Sequence, residues 1–273
     1  MEIQTVPVAD LTLGKAGELF LIAGPCVIQG EEMALEIAAG IAEICARHGV
    51  PYIFKASYDK ANRSSGRAGR GPGMTAGLAA IKRVKDELGL PTLTDIHAID
   101  HIGPASEACD ILQIPAFLCR QTDLLRAAAA SGRVVNIKKG QFMAPWDMKH
   151  AVAKVTEAGN PKVMITERGA SFGYNNLVSD MRALPIMRGF GFPVVFDATH
   201  SLQLPGGLGD KTGGLREFIP HLARAAVAPG VDGIFAEVHT DPSSSPSDSE
   251  NMLRLDELEA FLEPLLEIKK IVP

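Results

Sequence analysis

The sequence predicts an α/β fold, a closed (β/α)8 barrel of the TIM type, from three observations. Eight short β-prone runs recur along the chain, a helix-length amphipathic pattern follows each, and no linker or composition shift divides the 273 residues. A doubly wound sheet of six strands would leave two of the runs unexplained. The expected organisation is therefore a single barrel domain over residues 1–273, with residues 1–14 as an N-terminal extension.

The strand runs are Leu19 to Ala23, Tyr52 to Phe54, Thr92 to Thr94, Ile111 to Ile114, Val134 to Ile137, Val163 to Thr166, Val194 to Phe196 and Gly233 to Val238. The helical patterns are Glu31 to His48, Thr75 to Leu88, Ile99 to Ala108, Thr122 to Ala130, Trp146 to Glu157, Asp180 to Arg188, Leu215 to Ala228 and Leu255 to Ile268. In the first of these, Ala34, Ile37, Ala38, Ile41 and Cys45 form one apolar stripe, opposite Glu32, Glu36, Glu43 and Arg47. Thr122 and Asp180 are expected N-caps, and Asn160-Pro161 and Pro229-Gly230 are expected turns. Ile3, Val6, Val8, Leu11 and Leu13 around Ala9-Asp10 predict a small hairpin capping the bottom of the barrel.

Hydrophobic residues make up 46% of the chain and charged residues 22%, which suits a soluble, core-forming protein. The net charge of -5 and the absence of a long basic tract argue against nucleic-acid binding. No run is long and apolar enough for a membrane span, and the N-terminus does not read as a secretion signal, so a cytoplasmic location is expected. Cys45 and Cys109 lie in helical patterns as small buried hydrophobes, and nothing favours disulfides.

In a barrel, chemistry collects at the C-terminal ends of the strands. There this chain carries Cys26, Lys55, Asp95 with His97, Gln113, Lys138, Glu167-Arg168, Asp197 with His200, and Glu237 with His239. Ring closure sets the eighth strand beside the first and the seventh beside the eighth, so Cys26, His200 and Glu237 are expected to converge. Asp248, on the loop after the eighth strand, would complete a four-ligand site. Thiolate, imidazole and carboxylate together favour Zn²⁺ or Fe²⁺, with Mn²⁺ also compatible.

A second group is cationic: Lys55, Lys60, Arg63, Lys138 and Arg168 crowd one rim of an acidic chain, as anionic ligands require. Arg63 with Ser64 and Ser65 suits one phosphate, and Lys138 with Arg168 and Gln113 a second anion. The glycine-rich stretch Gly206 to Gly214 does not have Walker spacing and is expected to be a mobile active-site loop. His97 and His239 are expected near substrate, whereas His101 and Trp146 are expected to serve local packing.

These loops closely resemble those of the 3-deoxy-D-manno-octulosonate 8-phosphate synthase family. The matches are Ala23-Gly-Pro-Cys26, Asp59-Lys-Ala-Asn-Arg-Ser-Ser65, Arg70-Gly-Pro-Gly73, Thr94-Asp-Ile-His97, Thr166-Glu-Arg-Gly-Ala-Ser-Phe-Gly-Tyr-Asn-Asn-Leu177, Asp197-Ala-Thr-His-Ser201 and the loop Pro205 to Gly214. The resemblance implies condensation of phosphoenolpyruvate with D-arabinose 5-phosphate and water, supplying the lipopolysaccharide inner core, by a homotetrameric transferase. Cysteine after Gly-Pro implies the metal-dependent subclass, with Cys26, His200, Glu237 and Asp248 as ligands. The same resemblance puts Lys138, Arg168 and Gln113 on phosphoenolpyruvate, Lys60 between the substrates, and Asn62, Arg63 and Ser64 on the sugar phosphate. For such a reaction Lys60, His200 and a metal-bound water are the candidates for proton handling, and Asp95 for orienting the enol or the water. The segment Ser64 to Gly71 and the run Ser243 to Asp248 depart from the family pattern. The related synthase that uses erythrose 4-phosphate shares the Gly-Pro-Cys turn, but the Lys-Ala-Asn-Arg-Ser-Ser run argues against it.

Overall fold

The computed structural model describes residues 3–62, 69–206, 213–247 and 249–272. Eight parallel strands close on themselves: Phe20–Gly24, Tyr52–Lys55, Thr92–Asp95, Ile111–Ile114, Val134–Lys138, Val163–Glu167, Val194–Asp197 and Gly233–His239. Each pairs with the next along the chain, and the eighth returns to the first with Gly233 opposite Phe20 and Glu237 opposite Gly24. The predicted (β/α)8 barrel is therefore the fold.

Every strand except Ile111–Ile114 ends one residue later than hydropathy suggests. The extra residue is polar or glycine: Gly24, Lys55, Asp95, Lys138, Glu167, Asp197 or His239. A hydropathy pattern stops at such a residue, but the backbone ladder runs on because charge partners satisfy the buried side chain.

The helices Glu31–His48 and Thr122–Ala130 have the expected bounds. Four others open with a 3-10 turn, as in Ile99–His101 before Ile102–Ala108 and Pro145–Asp147 before Met148–Thr156. Two caps differ from expectation. Thr122 is the first helical residue, behind Gln121, and no side chain caps that helix. Asp180 accepts the backbone N–H of Arg182 at 3.0 Å, forming a tight local turn, and the helix begins only at Ala183. At the other predicted turn, Asn160 Nδ2 donates to the carbonyls of Ala129 and Arg133 while its Oδ1 accepts from Lys162 N–H.

Strand alternation splits the core into two shells. Leu21, Phe54, Leu112, Val135, Ile165, Phe196 and Ile234 face outward, against the helical stripe Ala34, Ile37, Ala38, Ile41 and Cys45 and its counterparts. Burial pushes the Cys45 and Cys109 thiols up to about 12, so these two behave as apolar filler, and none of the four buried cysteines is in a disulfide.

Phe20, Ile22, Ile53, Leu93, Ile111, Val134, Met164, Val195 and Phe235 face inward and fill the lower lumen. The hairpin Val6–Val8 and Leu11–Leu13 adds Val6, Val8 and Leu13 to that cluster and stoppers the barrel below. Its turn holds Ala9 at φ 48. Among the described residues no helix is long and apolar enough to cross a membrane.

Candidate active site

The inward-facing column of each strand changes character partway up. Two residues above the apolar layer, the same face presents Lys55 over Ile53, Asp95 over Leu93, Gln113 over Ile111, Thr166 over Met164, Asp197 over Val195 and Glu237 over Phe235. The fifth strand carries Asn136 and then Lys138 above Val134. All of these side chains are buried. A polar layer thus rests on a hydrophobic plug, at the barrel end where strands open into loops.

Within that layer the charges interlock. Lys138 Nζ lies 2.6 Å from Asp197 Oδ2, and the same oxygen lies 2.8 Å from His200 Nδ1. Asp197 Oδ1 accepts the backbone N–H groups of Thr199 (3.2 Å) and His200 (2.8 Å), fixing the 3-10 turn His200–Leu202 on the strand end. His200 Nε2 is then 3.4 Å from Glu237 Oε1, which is also 3.6 Å from Lys55 Nζ and 3.8 Å from Lys60 Nζ. Phe235 forms a floor beneath both lysines of the layer, with Lys138 Nζ 4.4 Å and Lys55 Nζ 5.5 Å from its ring centre.

The network sets the protonation states. Burial would raise the Asp197 carboxyl, but the charges of His200 and Lys138 outweigh it and hold the group well below the usual carboxylate range. Burial lowers the Lys138 ammonium, and Asp197 opposes that shift. Asp95 behaves like Asp197: burial would raise it, yet the His97 hydrogen bond and the Lys55 and Lys60 charges keep it far down. Its Oδ1 accepts from Ser57 Oγ, and its Oδ2 is 2.7 Å from His97 Nε2.

Arg168 Nη2 donates to Gln203 Oε1 at 2.5 Å, tying the mouth of the sixth strand to the short ladder Gln203–Leu204 with Gly213–Gly214. Gln113 Oε1 accepts from Asn136 Nδ2 at 3.2 Å, and Asn136 Oδ1 accepts from Thr166 Oγ1 at 2.8 Å, so the amides span three neighbouring strands.

The predicted site residues Lys55, Lys60, Asp95, Gln113, Lys138, Arg168, His200 and Glu237 thus share the C-terminal end of the barrel. Asn62 sits exposed at a turn. Arg63, Ser64, Ser65 and Asp248 lie outside the described residues, as does the tip of the predicted mobile loop.

Of the expected metal ligands, His200 and Glu237 are adjacent. Cys26 is buried just beyond the strand whose Gly24 pairs with Glu237, and its carbonyl accepts from Lys55 Nζ at 3.4 Å. Among the described residues, no three His, Cys, Asp or Glu side chains gather as a preformed cage. Glu237 nonetheless fits a cation-binding role: both of its oxygens are buried and neither accepts a hydrogen bond.

Three other expectations resolve locally. His239 Nε2 is 2.8 Å from Gln29 Oε1, and its Nδ1 accepts Asp241 N–H, so this ring joins the loops that follow the first and eighth strands. His101 Nδ1 bonds the Tyr58 hydroxyl at 2.8 Å, as local satisfaction predicts. Trp146, expected to pack, is 58% exposed because Pro145–Asp147 forms a surface 3-10 turn ahead of its helix. Sequence reasoning overlooked Phe235 and Ser57. Their signal was parity, since Phe235 lies two residues below Glu237 and Ser57 two residues beyond Lys55.

Comparison with known proteins agrees with this architecture. The model of the DAHP synthetase I family matches residues 2–273. The chain is 60% identical to a 2-dehydro-3-deoxyphosphooctonate aldolase of Methylobacterium radiotolerans, over 97% of this chain and 94% of the relative. It is 59% identical to the protein of that name from Desulfatibacillum aliphaticivorans, over 96% of each, and 56% identical to that from Geotalea daltonii, over 99% of each.

Proposed function

The chain belongs to the DAHP synthetase I family, among the homologues of its 2-dehydro-3-deoxyphosphooctonate aldolases, and on that premise we propose that it condenses phosphoenolpyruvate with D-arabinose 5-phosphate and water. The products are 3-deoxy-D-manno-octulosonate 8-phosphate and inorganic phosphate, the reaction of a carbon–carbon bond-forming transferase in lipopolysaccharide precursor synthesis. The observation that carries this reading is the polar layer itself. Buried Lys55 and Lys138, with Lys60 and Arg168, face one lumen above a sealed apolar plug, in a chain whose full length matches those relatives.

Two phosphorylated substrates repel each other, and cations fixed in advance offset that repulsion without reorganising during the reaction. Lys138, Arg168 and Gln113 receive phosphoenolpyruvate, with Lys138 held in place by Asp197. Asn62, Arg63 and Ser64 receive the sugar phosphate. C3 of phosphoenolpyruvate attacks the aldehyde carbon, water adds at C2, and the resulting phosphohemiketal expels phosphate by C–O cleavage. Lys60, near Glu237, donates a proton to the alkoxide left on the former aldehyde oxygen, making it the new hydroxyl. Asp95, kept ionised by its neighbours, orients the incoming water.

A divalent ion, Zn²⁺ or Fe²⁺ before Mn²⁺, is assigned to Cys26, His200, Glu237 and Asp248. When bound it supplies Lewis-acid polarisation at the carbonyl side of the site. The Asp197 contact to His200 Nδ1 supports this assignment, because it turns Nε2 toward Glu237, the orientation a ligating imidazole needs. A homotetrameric assembly belongs to the same reading and is checked by light scattering of the purified protein.

The deciding experiment presents phosphoenolpyruvate with a panel of aldose phosphates and follows phosphate release and product mass, before and after metal depletion. Selective turnover of arabinose 5-phosphate is expected. Preference for erythrose 4-phosphate would overturn the substrate assignment.

A further inference from the structure

Behind the inward-facing cations lies a buried ion pair that the reaction scheme leaves unused. Lys139 follows Lys138, and Glu167 precedes Arg168. Because side chains alternate along a strand, this second pair points away from the lumen. Both residues are buried, and Lys139 Nζ lies 3.4 Å from Glu167 Oε1.

The pair grips backbone on both strand ends. Lys139 Nζ donates to the carbonyls of Gly140 (3.2 Å), Met143 (3.4 Å) and Gly169 (3.3 Å). Glu167 Oε1 accepts the N–H groups of Arg168 (3.1 Å) and Gly169 (2.7 Å). The Lys139 amide itself extends the ladder to Thr166 carbonyl at 2.8 Å. The peptide that carries Arg168 is therefore held from one side by Glu167 and from the other by Lys139.

Stability alone is a weak reason for such an arrangement, since a buried ion pair is often no more stabilising than apolar residues of equal volume. An apolar pair, however, has no donor for three carbonyls and no acceptor for two amides. The contacts define where the fifth and sixth strands end relative to each other, and those ends bear the two side chains assigned to the enol phosphate.

We propose that Lys139 and Glu167 are positioning residues for phosphoenolpyruvate, an outward-facing clamp that sets the backbone from which Lys138 and Arg168 reach the anion. The inference rests on the assignment of Lys138 and Arg168 to that substrate. Neither clamp residue touches the reactants. Their effect is geometric.

The test compares wild type with Lys139→Met, Glu167→Gln and the charge-retaining Lys139→Arg, using phosphate release while each substrate is varied in turn. Lys139→Met and Glu167→Gln are expected to raise KM for phosphoenolpyruvate about tenfold or more, because a misplacement near 1 Å costs up to about a hundredfold. KM for arabinose 5-phosphate should move far less, and Lys139→Arg should recover most of the loss. A lowered melting temperature with both KM values unchanged would reduce the pair to a structural staple and overturn the proposal, as would an equal rise in both. Should Lys139→Met not fold, Glu167→Asp, which keeps the charge but shortens its reach, carries the same comparison. If wild type releases no phosphate from this substrate pair, the assignment of Lys138 and Arg168 falls, and the clamp proposal with it. That failure is separable, because it shows before any variant is made.

Discussion

Lys138 on the fifth strand and Asp197 on the seventh meet at 2.6 Å over the end of the sixth, both buried. Asp197 also bonds His200, so one carboxylate aligns a cation assigned to substrate and an imidazole assigned to metal. Replacing it by asparagine preserves an acceptor for the Thr199 and His200 amides but removes the charge. Asp197→Asn should therefore fold and lose roughly tenfold to a hundredfold in kcat/KM for phosphoenolpyruvate, as measured by initial rates of phosphate release.

Cys26 is expected to matter for turnover and not for folding. Cys26→Ala removes one small buried side chain, so circular dichroism should stay native while metal-dependent activity nearly disappears. Full activity of wild type after exhaustive chelation would reject the metal assignment itself.

The sugar phosphate and the enol phosphate are assigned to different cations. Arg63→Ala should weaken use of arabinose 5-phosphate more than use of phosphoenolpyruvate, read as the ratio of the two KM changes. Equal changes would contradict the partition.

Gly24 ends the first barrel strand, and a Cβ there would run into the Lys55 carbonyl oxygen. Alanine at this position must push the first two strands apart just below Lys55. Gly24→Ala is expected to cost about 1–3 kcal/mol of stability, visible in denaturant unfolding, and to lower activity through displacement of Lys55.

Asp95 provides a test by pH. Its folded-state pKa lies below the unfolded value of about 3.9, because His97, Lys55 and Lys60 outweigh burial. Its contribution to stability is thus fully present above the unfolded pKa and is lost as pH falls toward the folded one. The melting-temperature gap between wild type and Asp95→Asn should be widest at neutral pH and shrink below about pH 4. A constant gap would show that the loss is one of packing, not charge.

Much of this was legible in the sequence, for identifiable reasons. Eight apolar runs give eight strands because each is buried on both faces, and the chemistry at their ends is visible because polar residues interrupt them abruptly. Less legible were contacts that depend on through-space neighbours. Nothing in the local sequence of Lys139 and Glu167 announces that they pair behind the lumen while Lys138 and Arg168 face into it, and His239 resembles a site histidine until Gln29 is seen to occupy its Nε2. The caps failed for a related reason: Thr122 and Asp180 have the right chemistry, but Thr122 already lies inside its helix, and the local turn at Asp180 delays the next one to Ala183.

The two-residue step from Val195 to Asp197, or from Phe235 to Glu237, carries a lesson for how such a protein can diversify. Reactivity can be exchanged at the uppermost inward rung by single substitutions while the rungs beneath go on holding the molecule together. Loss or gain of one codon within a strand, by contrast, would turn every later rung inside out, sending charge into the helical shell and grease into the mouth. Descendants of this chain should accordingly vary by replacement within the strands and reserve changes of length for the loops.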